Sequence, residues 1–418
     1  MTSTPSEARD ACDVGDLTQR VRAIARDAGA ARVAICAADA LANTRDALAA
    51  SFARGDLATW GYDAAYATRA SDPRTLLPGA RSVICIAVPY ARAGANAPVG
   101  HGRPLVGRVS NYAWSADYHR RVRTILEKIA GEIDAFAGAA VTRVACDTAP
   151  LAERAFAQRS GLGWIGKHTN LIAPGAGSFV FLGEIVTTLA LAADAPLKKT
   201  CGSCTRCVVA CPTGALRGDY TIDATRCISD LTQRTDAIPR ALRPLVGDWV
   251  WGCDLCQLAC PPTRIARAPV DAAFAPIDDV AAAPSLVDLL ALRSGAFKRR
   301  YRPTAMGWRG GAVLRRNAAV ALGNLGDRSA VPALARALAT DPHPLVRGHA
   351  AWALGRIGSP AGRVALESRA SGESDVSVLE EVALALEDLS ARATAGGPQS
   401  GPIEPQGNLR TSSHVEAP

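Results

Sequence analysis

The sequence lacks any uncharged apolar run of the ~18 residues that a membrane-spanning helix needs. Its most apolar stretch, Ser178–Leu197, is interrupted by Glu184 and Asp194. The N-terminal decapeptide has no basic-then-apolar layout and no twin arginine, so no secretory signal is expected. No histidine and cysteine array suited to haem is present. Gly161-Leu-Gly-Trp-Ile-Gly166 fits the bare dinucleotide pattern, but no strand clearly leads into it, which leaves a weak case for nicotinamide. The same glycines would instead let backbone approach some other bulky cofactor. Together these absences favour a cytoplasmic, globular chain, and 418 residues predict two or three domains. The net charge of +8 points toward a polyanionic partner without proving one.

Cysteine is abundant but unevenly placed. Eight of the twelve lie between Cys201 and Cys260, while Cys12, Cys36, Cys85 and Cys146 are scattered. A disulfide framework suits short exported chains, so the cluster reads as metal ligation in a reducing compartment. Cys201-x2-Cys204-x2-Cys207-x3-Cys211-Pro212 is the bacterial ferredoxin run, whose fourth cysteine serves the other cluster in two-cluster ferredoxins. Cys253-x2-Cys256-x3-Cys260-Pro261 repeats its last three positions, and Cys227 is the other cysteine nearby. Crossing the fourth ligands gives Cys201, Cys204, Cys207 and Cys260 for one cluster. Cys211, Cys227, Cys253 and Cys256 remain for the other. Two zinc sites are the alternative, but zinc ribbons need neither a third cysteine two residues on nor the Cys-Pro ending. Two 4Fe–4S clusters in one small module make an electron relay.

The rest of the chain divides around this module. Residues 1–15 read as a disordered tail and 16–197 as an α/β domain. Within it, helical periodicity covers Leu17–Ala28 and Tyr118–Phe136. Strand character covers Ala31–Cys36, Ser82–Pro89 and Val141–Cys146, and Ser178–Leu191 is expected to form two strands joined near Gly183. The cysteine module is assigned 198–265. Over 266–392, Asn317–Gly326 aligns with His349–Gly358 at a spacing of 32, with six of ten positions identical, and a weaker copy follows at Ala383–Leu389. That period predicts a small solenoid of helix pairs, with Pro332 and Pro344 opening intervening helices. Residues 393–418 read as a second disordered tail.

A relay needs a terminus, and a resemblance supplies one. Asp147-Thr-Ala-Pro-Leu-Ala-Glu-Arg154, Gly161–Asn170, Phe181-Leu-Gly-Glu184, Cys227–Gln233 and Gly252–Pro261 resemble epoxyqueuosine reductases, and the terminal repeat resembles that family's HEAT-type domain. The likeness implies an α/β cobalamin-binding N-terminal domain, a ferredoxin-like module with two 4Fe–4S clusters, and an all-α HEAT-type domain that grips tRNA. It implies reduction of the epoxide of epoxyqueuosine, at the wobble position of tRNA, to queuosine by cob(I)alamin fed through the clusters. An unidentified electron donor is required, and a monomer is expected. Expelling the epoxide oxygen needs an acid, and Asp147 matches the family's proton donor. With an ordinary value of about 4, its pKa would have to be raised by the site. On residues alone, Asp147 reads equally well as a helix N-cap before Ala149-Pro150-Leu151.

Asp147, Arg69, Arg154, Lys167, Asn170 and Ser229 are the expected corrin contacts. His119, in Asp117-Tyr-His119, reads as a surface histidine at a helix start, with assistance in proton delivery as the alternative. Cys36 and Cys85 read as inert core, and Cys146 as strand packing beside Asp147. Lys298, Arg299, Arg300, Arg302, Arg309, Arg315 and Arg316 are seven basic residues without an acid in nineteen positions, interleaved with Tyr301 and Trp308. Bases neutralise phosphates and aromatics stack on unpaired nucleobases, so these residues, with Gln233 and Arg234, are the expected tRNA contacts. Two rival readings remain: a cobalamin reductive dehalogenase acting on a small molecule, which would have no use for the basic segment, and an electron carrier whose solenoid docks a partner protein, which predicts clusters but no corrin.

Overall fold

The computed structural model describes residues 5–57, 60–91 and 105–394. Its N-terminal lobe is built on a four-stranded sheet with spatial order Arg32–Ala37, Ser82–Pro89, Val180–Thr187 and Thr142–Ala145. Strands and helices alternate as expected, yet every pairing in this sheet is antiparallel. The connection between the first two strands explains one of these pairings. It carries two helices, Ala42–Ala53 and Ala64–Ser71, an out-and-back excursion that returns the chain to the edge it left.

Ser82–Pro89 is buried along its whole length, as its continuous apolar run requires. On one face, Ile84, Ile86 and Ile185 pack against Val122, Ile125, Leu126, Ile129 and Ile133 of the helix Tyr118–Ala137. That helix is capped by the Asp117 carboxylate and ended by Gly138 in the left-handed conformation. On the other face, Cys36, Cys85 and Val186 pack against Phe156, Ala157 and Leu162. The expected break at Gly183 is absent. A Cβ there would lie 2.9 Å from Leu126 Cδ1, so the glycine instead lets the long helix settle onto an unbroken strand.

Gly161–Gly166 opens no helix but feeds a hairpin of Trp164–Ile165 with Leu171–Ile172. Cβ atoms at Gly161 and Gly163 would lie 2.3 Å and 2.5 Å from the carbonyl oxygens of Ala195 and Ile172. Close backbone packing within the protein therefore requires both glycines. The first helix runs Pro5–Asp27, so most of the expected N-terminal tail is helical backbone. Of the expected C-terminal tail, residues 395–418 lie outside the described residues.

The repeat contains the helices Gly311–Leu325, Val331–Thr340, Pro344–Ile357, Pro360–Ala370 and Val376–Thr394. Equivalent glycines set their spacing. A Cβ at Gly323 would fall 2.9 Å from Ala353 Cα, and one at Gly355 would fall 2.7 Å from Ala385 Cβ. The small-residue pattern thus reflects helices in backbone contact. Pro332 lies in the first turn of an intervening helix as expected, whereas Pro344 opens a repeat helix itself. The largest core cluster runs from Val109 and Trp114 through Ile228, Leu231 and Trp251 to Leu389. Half of the cysteine module is therefore built onto the repeat.

Candidate active site and cluster module

Asp147 follows the strand Thr142–Ala145 and holds a left-handed backbone, φ 53°. The N-cap expectation fails: the next helix begins at Glu153 with Ala152 as its cap. The carboxylate is free for other partners. Tyr118 Oη donates to Asp147 Oδ2 at 3.0 Å and His119 Nε2 reaches the same oxygen at 2.9 Å. His119 Nδ1 meets Asp117 Oδ1 at 2.7 Å. Two carboxylates thus grip one imidazole and push its pKa up to about 9, with the Asp117 bond the larger cause. Asp147 moves below its ordinary range because of the His119 bond, which outweighs desolvation. The expectation of a raised Asp147 is overturned: in this site the proton resides on His119. His119 is accordingly no idle surface histidine. Its ring stacks on Tyr118 with centroids 4.1 Å apart, and Tyr118 stacks in turn on Phe181 at 4.2 Å.

The expected corrin contacts divide. Arg154 Nη1 donates to the Thr169 carbonyl at 2.7 Å and lies near the charges of Glu153 and Asp147. Desolvation lowers its pKa although its side chain reaches solvent, the combination expected of the wall of a deep cleft. Asn170 is half-buried in the same hairpin turn, where its carbonyl accepts from Gly166 N. Arg69 is exposed, with its guanidinium 5.9 Å from the Tyr66 ring. Lys167 is already used: its Nζ donates to the Gly202 carbonyl at 2.9 Å, tying the hairpin to the cysteine module. Ser229 Oγ accepts from Gln233 Nε2 at 3.1 Å, so these two expected contacts bond each other.

None of the eight module cysteines is paired in a disulfide. Burial pushes Cys207 up to about 11, with Cys201 and Cys260 the next contributors. Cys260 in turn lies near Cys201 and Cys204. Cys227 lies near Cys211, Cys253 near Cys256 and Cys227, and Cys256 near Cys227 and Cys211. Most of these proximities fall within one or other of the two expected sets, while Cys207 also lies near Cys256. Among the described residues, no three His, Cys, Asp or Glu side chains close on a point as a single metal ion requires. Half-buried Tyr112 lies within reach of the charges of both Asp147 and Asp254, the latter set between Cys253 and Cys256.

The basic segment is less uniform than its sequence. Arg316 is fully buried and donates to the carbonyls of Asp236 and Leu231 at 2.6 and 2.9 Å. Asn317 beside it holds the carbonyls of Thr232 and Val250. Arg316 therefore braces the segment between Cys227 and Cys253 and has no surface to offer a phosphate. Arg315 is committed to Asp341 at 2.6 Å, and Arg300 to Asp278 at 2.9 Å. Arg234 is buried against Asp230, and Tyr301 is buried too. Lys298, Arg299 and Arg302 remain exposed. Arg309 lies 3.7 Å from the Trp308 ring centre, and Trp308 stacks on Trp60 at 5.6 Å. Sequence reasoning missed Trp60 and Glu153. It noted Glu184 as an interruption of an apolar run, which was its available signal.

Residues 70–148 match the family described as epoxyqueuosine reductase QueG, DUF1730. Residues 200–263 match a 4Fe-4S double cluster binding domain, and residues 312–387 match HEAT repeats. The epoxyqueuosine reductase of Bacillus subtilis strain 168 is 33% identical over 379 residues, covering 91% of this chain and 97% of its own. That of Xanthomonas campestris is 38% identical over 350 residues, covering 83% and 98%. The chain belongs to the epoxyqueuosine reductase family. A crystal structure of an epoxyqueuosine reductase with an epoxyqueuosine-modified tRNA stem loop superposes with a TM-score of 0.82 at 33% identity, covering 90% of this chain and 99% of that one. As a member of the family the chain is an oxidoreductase with a double-cluster domain and a HEAT-repeat segment. No helix among the described residues is long and apolar enough to cross a membrane.

Proposed function

We propose that the protein reduces the epoxide of epoxyqueuosine in a tRNA anticodon loop, acting in the cytoplasm as a monomer, with Asp147 and His119 managing the proton. The observation that carries this reading is the Tyr118–Asp147–His119–Asp117 hydrogen-bond chain, with Tyr112 within reach of the charges of both Asp147 and Asp254. Cys201, Cys204, Cys207 and Cys260 would hold one 4Fe–4S cluster, and Cys211, Cys227, Cys253 and Cys256 the other. In the cleft around Asp147, a large cofactor with amide and phosphate groups would find charged and polar partners. Arg154 and the Thr169–Asn170 turn line the cleft, and Arg69 lies exposed for a more peripheral contact. Cobalamin bound there would supply a strongly reducing nucleophile for the ring carbon.

The protein's own part is protonation. Opening an epoxide and losing its oxygen as water consumes two electrons and two protons, and an unprotonated oxygen would leave as a poor alkoxide. His119 stores a proton at neutral pH and donates to Asp147. Asp147, with Tyr118 on the same oxygen, is the group that faces the cleft and can relay that proton to the departing oxygen. Anaerobic reconstitution with iron, sulfide and cobalamin should yield about eight iron and one cobalt per chain. Turnover of modified tRNA stem loop to queuosine should fall by about 10³-fold or more in Asp147→Ala while the metal content stays constant. Eight iron without cobalt or turnover would favour the electron-carrier reading.

A further inference from the structure

Glu184 is fully buried in the central strand Val180–Thr187, opposite Cys85 on one side and Ala145 on the other. Neither of its carboxyl oxygens meets an N–H or O–H donor of the protein. What faces it is the carboxyl group of Glu153, within hydrogen-bond reach. Two carboxylates this close, one of them fully buried, resist being ionised together, and Arg154 beside Glu153 is the single cation near the pair. A proton must occupy the gap between them. Glu153 also looks the other way: its Oε1 accepts the backbone N–H of Asp147 at 2.5 Å. Asp147 has left-handed backbone there, a conformation that costs an ordinary residue about 1 kcal/mol or more and persists only where neighbours fix it.

We propose that Glu153 and Glu184 form a proton-sharing carboxyl pair that holds the Asp147 turn through its backbone N–H, making Glu153 a positioning residue for the proton-relaying aspartate. This rests on the reading of Asp147 given above. The surroundings agree. Around Glu153 stand Asp147, Arg154 and Tyr66, and around Glu184 stand Cys36, Cys85 and Cys146. Only Arg154 among them is a cation, and desolvation still lifts Glu153 to about 7 and Glu184 well above its ordinary range. Above about pH 7 the pair holds one proton, and the ionised Glu153 oxygen is a strong acceptor for the Asp147 N–H. Below it a second proton binds and that grip weakens. Activity should therefore fall as pH drops through about 7.

The test compares Glu153→Ala, Glu153→Gln and Glu184→Gln in full-length protein reconstituted with iron, sulfide and cobalamin. Glu153→Ala should lower kcat about 10- to 100-fold, with KM for the modified stem loop changed by no more than about twofold. Glu153→Gln keeps an oxygen acceptor for the Asp147 N–H. It should recover most of kcat and lose the acid limb near pH 7. Infrared pH-difference spectra of the same preparations should show a protonated-carboxyl C=O band that disappears in Glu184→Gln. Wild-type kcat in Glu153→Ala, an acid limb that survives in Glu153→Gln, or no protonated-carboxyl band in the unmodified protein would each overturn the proposal. Asp147→Ala separates the two levels. If it turns over, the reading of Asp147 itself fails; if it is dead while Glu153→Ala is fully active, only the positioning role fails.

Discussion

The cleft around Asp147 and the helical repeat treat charge in opposite ways. In the repeat, three buried or half-buried acids meet arginine: Glu373 accepts from Arg347 and Arg369, Asp341 from Arg315, and Glu381 from Arg240 and Arg243. In the cleft, the carboxyl groups of Asp117, Asp147, Glu153 and Glu184 gather about His119 and Arg154. The consequence is visible in protonation. Glu373 is driven far below its ordinary range by Arg347, while Glu153 and Glu184 rise and His119 holds its proton past neutrality. Acids matched to arginines build framework. Acids left in excess around one histidine create groups that can exchange protons near neutral pH, which a reduction that consumes protons requires.

Breaking the cleft's side of this comparison should have the larger effect. His119→Gln keeps hydrogen-bonding capacity but removes the stored proton, and should lower kcat about 100-fold. The unmodified protein should also lose activity as pH rises through about 9, a limb that the variant should not show. Stability follows the same sign. The His119 contribution is complete below its ordinary 6.5 and fades as pH climbs through about 9. Denaturant unfolding of the two proteins at neutral pH and at pH 10 would register that convergence. Equal turnover would make His119 a bystander.

Breaking the repeat's side should cost stability and leave chemistry alone. Glu373→Gln strands Arg347 and Arg369 without their carboxylate and should lose about 2 kcal/mol at pH 7. Because the Glu373 pKa is depressed, its contribution is present above 4.5 and declines as pH falls below that value. The difference between the two proteins in urea unfolding should therefore shrink in acid. Turnover per folded molecule should not change.

This contrast also marks what the sequence could convey. The cysteine spacing marked the module that matches a double-cluster domain, and the 32-residue period announced helices whose glycines touch the next helix. Strand direction was not legible: the alternation of strands and helices is the same for parallel and antiparallel sheets until the connecting path is known. Asp147 was legible as a site residue, but its charge state was not. That state depends on His119, 28 residues earlier and brought beside it only by the long helix lying on the sheet. Arg316 misled for the converse reason. A charge run does not say which arginine turns inward.

The basic segment tests that last distinction directly, with the smallest expected effect. Lys298, Arg299 and Arg302 are exposed, whereas Arg316 is buried against carbonyls of the cysteine module. Replacing the three exposed residues by alanine should weaken binding of the modified stem loop about tenfold at low salt. The log–log salt slope should become shallower by about 2, since each cation lost leaves one phosphate's counterions in place. Iron content should stay at the unmodified level. Arg316→Gln should do the reverse: the salt slope is kept, while the Cys227–Cys253 segment loses its brace and iron is lost on gel filtration. An unchanged slope in the triple variant would remove the exposed residues from the tRNA contact. Lowered iron in the triple variant would show that these cations, too, belong to the framework.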